Sequence, residues 1–164
     1  MTVEEAKQDM AKQIANAKAA FEERAKGTHT ALYKAVVKCA LLVERSCKQG
    51  MRDSPTNAGV AYGKHNHHPS LPGGYPAPDT GTLMRSITHT IVEDDAEIIG
   101  YVGSTITNPP YGAYLEDGTR SEYGTSKMAP RPWLQPSIDA NVDNIKKILG
   151  DGAQGREVNI NAEE

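Results

Sequence analysis

The sequence lacks any apolar run close to the ~20 residues of a membrane-spanning helix, so we expect no membrane span and no membrane partner. It is also poor in aromatic residues, which make up 5% of the 164 residues and include one Phe and one Trp. A chain of this length can form one domain. Because aromatic residues are few, we expect a modest core that partner subunits complete. The N-terminus has no apolar signal core, so we expect a soluble, intracellular protein.

The chain also lacks a net positive charge and has only two cysteines. The formal net charge is −3, so no overall basic field is available to hold nucleic acid. Cys39 and Cys47 lie in an apolar helical pattern and are separated by roughly 12 Å along a helix axis, which is too far for a disulfide. We therefore expect two buried free thiols, and nothing implies an oxidising compartment.

Signatures of catalysis are missing. Ser70, Ser86 and Ser104 lack a Gly-x-Ser-x-Gly setting, and the sequence contains neither a P-loop nor a Gly-x-Gly-x-x-Gly fingerprint. The sequence therefore predicts a protein that is not an enzyme, with no catalytic residue and no cofactor.

The N-terminal third has the pattern of amphipathic helices. A Thr-x-x-Glu capping box at residues 2–5 is followed by apolar residues every three or four positions up to residue 21. A second helical pattern covers residues 30–49, with Gly50 as its stop. Gly27 separates the two patterns, either as a break or as a kink in one long helix.

The rest of the chain mixes strands and helices. Residues 87–92 and 97–103 predict two strands joined by an acidic turn. A short helix begins at Tyr111 and ends at Gly118, and a last helix covers residues 135–149 up to a stop at the next glycine. We expect an α+β fold, in which one or two N-terminal helices and a C-terminal helix pack on a small, mostly antiparallel sheet. The predicted parts are a helical extension at 1–27, an α+β domain at 28–150 and a flexible tail at 151–164.

The most distinctive segment is a proline–glycine arm within residues 69–87. Between residues 69 and 87 the chain has four prolines and three glycines ahead of Leu-x-x-Ser-Ile. Proline fixes φ and removes a backbone donor, so neither a helix nor a central strand fits here. Long irregular segments in compact domains are usually binding loops, lids or linkers. We predict that the arm projects and grips another protein.

Three histidines, His65, His67 and His68, form the tightest cluster of potential metal ligands. Neighbouring histidines on a loop do not build a tetrahedral site by themselves, and no Cys or carboxylate lies close by in the sequence. We expect no metal site, and keep a metal-dependent nuclease or hydrolase that uses these histidines as the alternative function. A small regulator whose helices bind a partner protein is a third interpretation.

Two further segments have the composition of contact surfaces. Tyr111 and Tyr114 combine an apolar ring with a polar tip, which suits both core packing and an interface. We expect Glu116 to accept hydrogen bonds from a nearby turn or to pair with an arginine, Arg120 or Arg131. The single tryptophan stands where the last helix begins, as a docking anchor or as a contact with a neighbouring subunit. The predicted interface residues are Tyr75, Pro76, Leu83, Tyr111, Tyr114, Glu116, Arg131 and Trp133.

Three segments, taken in order, resemble one known family. They read Pro-x-Pro-Asp-Thr-Gly-x-Leu-x-x-Ser-Ile at residues 76–87, Tyr-x-x-Tyr-Leu-Glu-x-Gly-Thr at 111–119 and Pro-Arg-Pro-Trp-Leu-x-Pro at 130–136. Their order and spacing are similar to the neck or tail-component family of long-tailed bacteriophages, which is distantly similar to minor tail protein Z of phage lambda. The resemblance covers residues 32–149. Family members commonly have Ala-Arg-Pro-Phe-Leu in the third segment, so the Pro-Arg-Pro-Trp-Leu of this chain departs mildly from the family pattern.

The resemblance implies a structural protein of the virion. Family proteins lie at or near the head–tail junction, as neck or tail-completion proteins, and assemble as rings around the channel, with six copies as the expected number. Double-stranded DNA would pass through without sequence-specific binding. The implied partners are further copies of the chain and other neck and tail proteins, and the implied locations are the host cytoplasm during assembly and then the virion.

Overall fold

A single long helix organises the molecule. In the computed structural model, which describes residues 3–56, 68–94, 97–119 and 128–160, helix α1 (Val3–Arg52) is continuous over 50 residues. The alternative of one long helix is thus confirmed, and Gly27 is an ordinary helical position with open space around it. The predicted capping box begins at Thr2, which lies outside the described residues.

The predicted stop at Gly50 is wrong, because α1 continues to Arg52. The Tyr75 ring lies against Gly50 so closely that a Cβ there would come within 2.3 Å of it. The glycine therefore serves a close contact inside the helix and not a C-terminal cap.

The two predicted strands form a hairpin on α1. Strands β1 (Ile87–Glu93) and β2 (Ile98–Ser104) are antiparallel, with Ile87 opposite Ser104 and Glu93 opposite Ile98. A five-residue helix, α2 (Thr82–Ser86), leads directly into β1. Within the described residues no third strand pairs with either edge of this sheet. The small antiparallel sheet of the predicted α+β fold is confirmed.

The C-terminal third contains three helices, α3 (Tyr111–Asp117), α4 (Gln135–Asp139) and α5 (Val142–Ala153). The end of α3 at Gly118, which has φ +75°, agrees with the prediction. The single predicted helix over 135–149 is wrong, because the chain breaks at residues 140–141. The Asn141 side chain donates a hydrogen bond to the Ser137 carbonyl at 2.8 Å, a local bond that competes with a continuous helix.

Helix α5 packs along α1, and this contact extends beyond the predicted domain end. A Cβ added to Gly152 would come within 2.6 Å of the Ala35 Cβ, so the two helix backbones lie very close. Val158, farther along, is 7% exposed. The first residues of the expected tail, 151–153, belong to α5, and its last four residues lie outside the described part of the chain.

The core lies where α1, α2, the hairpin, α3 and the start of α4 converge. Its two thiols are free and buried, as predicted. Burial raises the pKa of Cys39 to about 11 and also raises that of Cys47. The central buried residues are Val43, Cys47, Met51, Leu83, Ile87, Leu115 and Trp133.

Candidate assembly interface

Glu116 joins α3 to the start of α4. One carboxylate oxygen accepts hydrogen bonds from the backbone N–H groups of Trp133 at 2.7 Å and Leu134 at 2.9 Å. The other accepts from the N–H of Gln135 at 3.0 Å. These donors are the last two residues before α4 and its first residue, Gln135. At such a helix start the N–H groups have no partner within the helix, and the helix dipole favours an anion. The prediction that Glu116 binds a nearby turn is confirmed.

Trp133 is the second link between these segments. Its ring is buried, and its Nε1 donates a hydrogen bond to the Gly112 carbonyl of α3 at 3.0 Å. A Cβ at Gly112 would come within 3.3 Å of the Trp133 ring, so glycine lets the ring approach the helix backbone. We call this arrangement, with Gly112, Glu116 and Trp133 as its members, the Glu116 clasp.

Arg131 ties the clasp to the proline–glycine arm and not to Glu116. Its Nε donates to the Ser70 carbonyl at 3.1 Å, and its Nη1 donates to the Ala129 carbonyl at 3.3 Å. Its backbone N–H donates to the Leu115 carbonyl at 2.7 Å. Arg120, the other predicted partner of Glu116, lies outside the described residues. The fold thus brings the second and third family-like segments together and attaches the arm to them.

The described part of the arm does not project from the molecule, contrary to expectation. Ser54 donates a hydrogen bond to the Tyr75 carbonyl, and the Tyr75 hydroxyl lies 3.0 Å from Ser137 Oγ. Pro76 is buried, and Leu83 is part of the core. These hydrogen bonds and the burial of its apolar residues hold the described part of the arm against the rest of the chain.

The eight predicted interface residues therefore differ in what they can offer a partner. Tyr111 is 47% exposed and Tyr114 is 43% exposed, whereas Leu83 and Trp133 are 9% and 4% exposed. Glu116 and Arg131 are half-buried and already bonded within the chain. The two tyrosines of α3 are the residues of the set that present substantial surface.

An open groove lies beside these tyrosines. It has a volume of about 400 Å³ and runs between the arm and α3. Its lining is mostly apolar and includes Pro76, Leu83, Tyr111 and Leu115. A groove of this composition suits an apolar side chain from another protein.

The outer face of the hairpin is a second surface, which was not predicted from the sequence. Tyr101 is 56% exposed and Val92 is 48% exposed, and both lie on the side that faces away from α1. The opposite side packs on α1, where Gly100 lies close to Val36. The signal was present, because the strands carry apolar or β-branched residues on both faces, whereas a solvated face is usually polar.

The N-terminal half of α1 carries a third surface. Every described residue from 8 to 27 is exposed, including Met10 and Ile14, each 63% exposed, and Phe21, 75% exposed. These three residues lie on one face of the helix, and that face continues to Ala31 and Ala35, which α5 covers. We call Met10, Ile14 and Phe21 the N-terminal apolar stripe.

Glu44 and His89 connect α1 to β1 below the sheet. Their side chains lie 2.6 Å apart, and Lys48 contacts the other oxygen of Glu44. Burial acts to raise the pKa of Glu44, but the hydrogen bonds and charges of His89 and Lys48 outweigh it and hold that pKa below its usual range. Such a pair fixes the hairpin on the helix.

The predicted histidine cluster is largely outside the described residues, which include His68 but neither His65 nor His67. Among the residues that are described, no group of three His, Cys, Asp or Glu side chains is arranged to hold a metal ion. None of the described helices is both long and apolar enough to cross a membrane.

No protein-family model, curated protein or solved structure matches this chain. The case for a function therefore depends on the three family-like segments and on the surfaces described above.

Proposed function

We propose that this chain is a structural protein of the bacteriophage head–tail junction, a neck or tail-completion protein. It assembles with copies of itself as a ring, six copies being the expected number, around the channel through which double-stranded DNA passes. Its work is done by assembly with other neck and tail proteins and not by catalysis.

The observation that carries the assembly part of this proposal is the apolar surface exposed on three separate elements. The N-terminal apolar stripe, the outer face of the hairpin and the tyrosines of α3 each present large side chains to solvent. Contiguous apolar patches on a protein surface mark contacts with other proteins. Because these surfaces differ from one another, they fit head-to-tail contacts, which close into a ring when the rotation allows it.

The phage part of the proposal is supported by the three family-like segments. Leu83 from the first segment, Leu115 from the second and Trp133 from the third share one core, and the Glu116 clasp fixes the last two. The segments therefore pack together as one unit, with Tyr111 and Tyr114 exposed on its surface. Such preorganisation lowers the cost of association.

Assembly can be tested by light scattering on a sizing column over a range of protein concentrations. We expect a ring-sized species for the wild type, and a smaller one for the double variant Tyr111→Ser and Tyr114→Ser. Since both rings are exposed, the variant should keep the helical circular dichroism and unfolding transition of the wild type.

Tyr33→Ser is the matched control, because Tyr33 is a tyrosine of α1 that is 37% exposed and lies outside the three surfaces. It should assemble like the wild type. A wild-type chain that stays monomeric at every concentration would contradict assembly, and a double variant with unchanged ring size would contradict the role of the α3 tyrosines. Location is tested separately with antibodies against purified virions, where absence of the chain would contradict the phage assignment.

A further inference from the structure

The second half of α1 carries a stripe of positive charge. Five basic residues lie within one arc of the helix at spacings of three, four and seven positions, which places them on a single face. The stripe is about 27 Å long, at 1.5 Å per residue. We call these five residues the basic stripe: Lys34, Lys38, Arg45, Lys48 and Arg52.

The basic stripe faces away from the core. Ala40, Val43 and Cys47 are buried on the opposite side of α1. Lys48 is already paired with Glu44, but none of the described acidic side chains forms an ion pair with the other four bases. Lys34, Arg45 and Arg52 are exposed. The face therefore offers several cations that lack an anionic partner in the described part of the chain.

The turn of the hairpin has the opposite charge. Glu93, Asp94 and Glu97 are all exposed there. Two hydrogen bonds join the described residues beside the turn: the Glu97 N–H donates to Asp94 Oδ1 at 2.9 Å, and the Asp94 N–H donates to the Glu97 carbonyl at 3.1 Å. We call these three residues the acidic turn.

One molecule cannot join its own two charged surfaces. Glu93 lies 3.3 Å from His29, so the acidic turn is held beside the middle of α1, on the side where the sheet packs. The exposed bases of the stripe lie on the reverse side of the same helix, nearer its C-terminal end, and Lys48 lies at the edge of the stripe next to the sheet. A second copy, placed with its hairpin behind the first, brings the two surfaces together.

The distribution of charge favours a second copy over nucleic acid as the partner. Residues 31–52 contain five bases and one acid, whereas residues 53–164 contain eight bases and fifteen acids. A duplex would meet attraction from the stripe and repulsion from most of the remaining surface. A second copy supplies its negative charge at a defined, exposed turn, and like charges of the two copies stay apart.

We propose that the basic stripe of one copy receives the acidic turn of the next, and that this contact fixes the direction and order of subunits in the assembly. The inference rests on the proposed self-assembly and adds the surfaces that make it head-to-tail. Because the two surfaces are different, the contact is heterologous: it leaves the acidic turn of one copy and the basic stripe of the other free for further copies.

A charge exchange tests this contact. Arg45→Glu and Glu97→Lys each place like charges opposite one another, and we expect each to weaken self-association at least about tenfold in sedimentation equilibrium at low salt. The double variant restores one opposite pair and should recover most of the lost association. Both residues are exposed, so circular dichroism should be unchanged. Lys12→Glu, an exposed position of α1 outside the stripe, is the control and should associate like the wild type.

The inference is overturned if the single variants associate normally, or if the double variant associates no better than either one. It is also overturned if Arg45→Glu leaves self-association intact but weakens binding of a labelled 20-base-pair duplex, which would assign the stripe to DNA. If the chain is present in virions yet its assembly is indifferent to these exchanges and to salt, the proposed function stands and this contact fails. If the exchange behaves as expected but virions lack the chain, the contact stands and the phage role fails.

Discussion

Replacing Glu116 gives the sharpest test of how the fold holds its family-like segments together. In Glu116→Ala, three backbone N–H groups at the start of α4 lose a charged acceptor at 2.7, 2.9 and 3.0 Å. A hydrogen bond to a charged group contributes about 1.5–3 kcal/mol. Gln135 is exposed, so water replaces part of that loss. We therefore expect a loss of about 2–4 kcal/mol in the free energy of unfolding.

For a chain of this length the same loss lowers Tm by about 4–16 °C, at roughly 2–4 °C per kcal/mol. Glu116→Gln keeps one acceptor oxygen and should lose about half as much, near 1–2 kcal/mol. The assay is urea unfolding followed by circular dichroism and Trp133 fluorescence, with Asp117→Asn as the control. Asp117 is exposed and adjacent, and its replacement should stay within about 0.5 kcal/mol of the wild type. Equal stability of Glu116→Ala and the wild type would refute the reasoning.

Three further predictions concern the core. Gly152→Ala should destabilise the fold by about 1–3 kcal/mol, because the new Cβ would lie 2.6 Å from that of Ala35. Gly150→Ala should be neutral or slightly stabilising, because the space around Gly150 is open. Urea unfolding measures both variants against the wild type. With a pKa of about 11, Cys39 is about one part in a thousand thiolate at pH 8, so iodoacetamide should modify it only in denaturant, and rapid stoichiometric labelling of the folded protein would contradict its burial. Folding lowers the pKa of Glu44 from 4.5, so the contribution of this carboxylate to stability is complete above pH 4.5 and disappears as the pH falls through the folded pKa. The difference in unfolding free energy between wild type and Glu44→Gln should therefore shrink from pH 7 to pH 3. A constant difference would contradict the lowered pKa.

The elements that local sequence determines were predictable. β-branched residues and an acidic turn identified both strands within about one residue, and the glycine after α3 marked its end correctly. The helix ends predicted at Gly50 and Gly150 were wrong, because the sequence does not show whether a glycine ends a helix or allows another residue to pack closely against it. In the structure the answer for Gly50 comes from Tyr75, which is distant in the sequence.

The candidate interface was predictable only in part. The local pattern around Glu116 indicated a carboxylate that binds a turn, and this was correct. The docking of the arm was not predictable, since Arg131 finds its acceptor 61 residues away at the Ser70 carbonyl, and such pairings follow from the tertiary fold. The charged surfaces on the two sides of α1 likewise emerge only once the hairpin has been placed on the helix.

The continuity of α1 has a consequence for measurements of assembly. Its first 25 residues extend for about 38 Å, and every described side chain among them is exposed to solvent. Such a helix end opens more readily than the half that is packed in the core. Amide exchange in the isolated chain should therefore slow gradually from the N-terminal end toward residue 31, with no step at Gly27. Binding of a neighbour to the N-terminal apolar stripe would flatten that gradient, so amide exchange along this helix shows whether the stripe is bound.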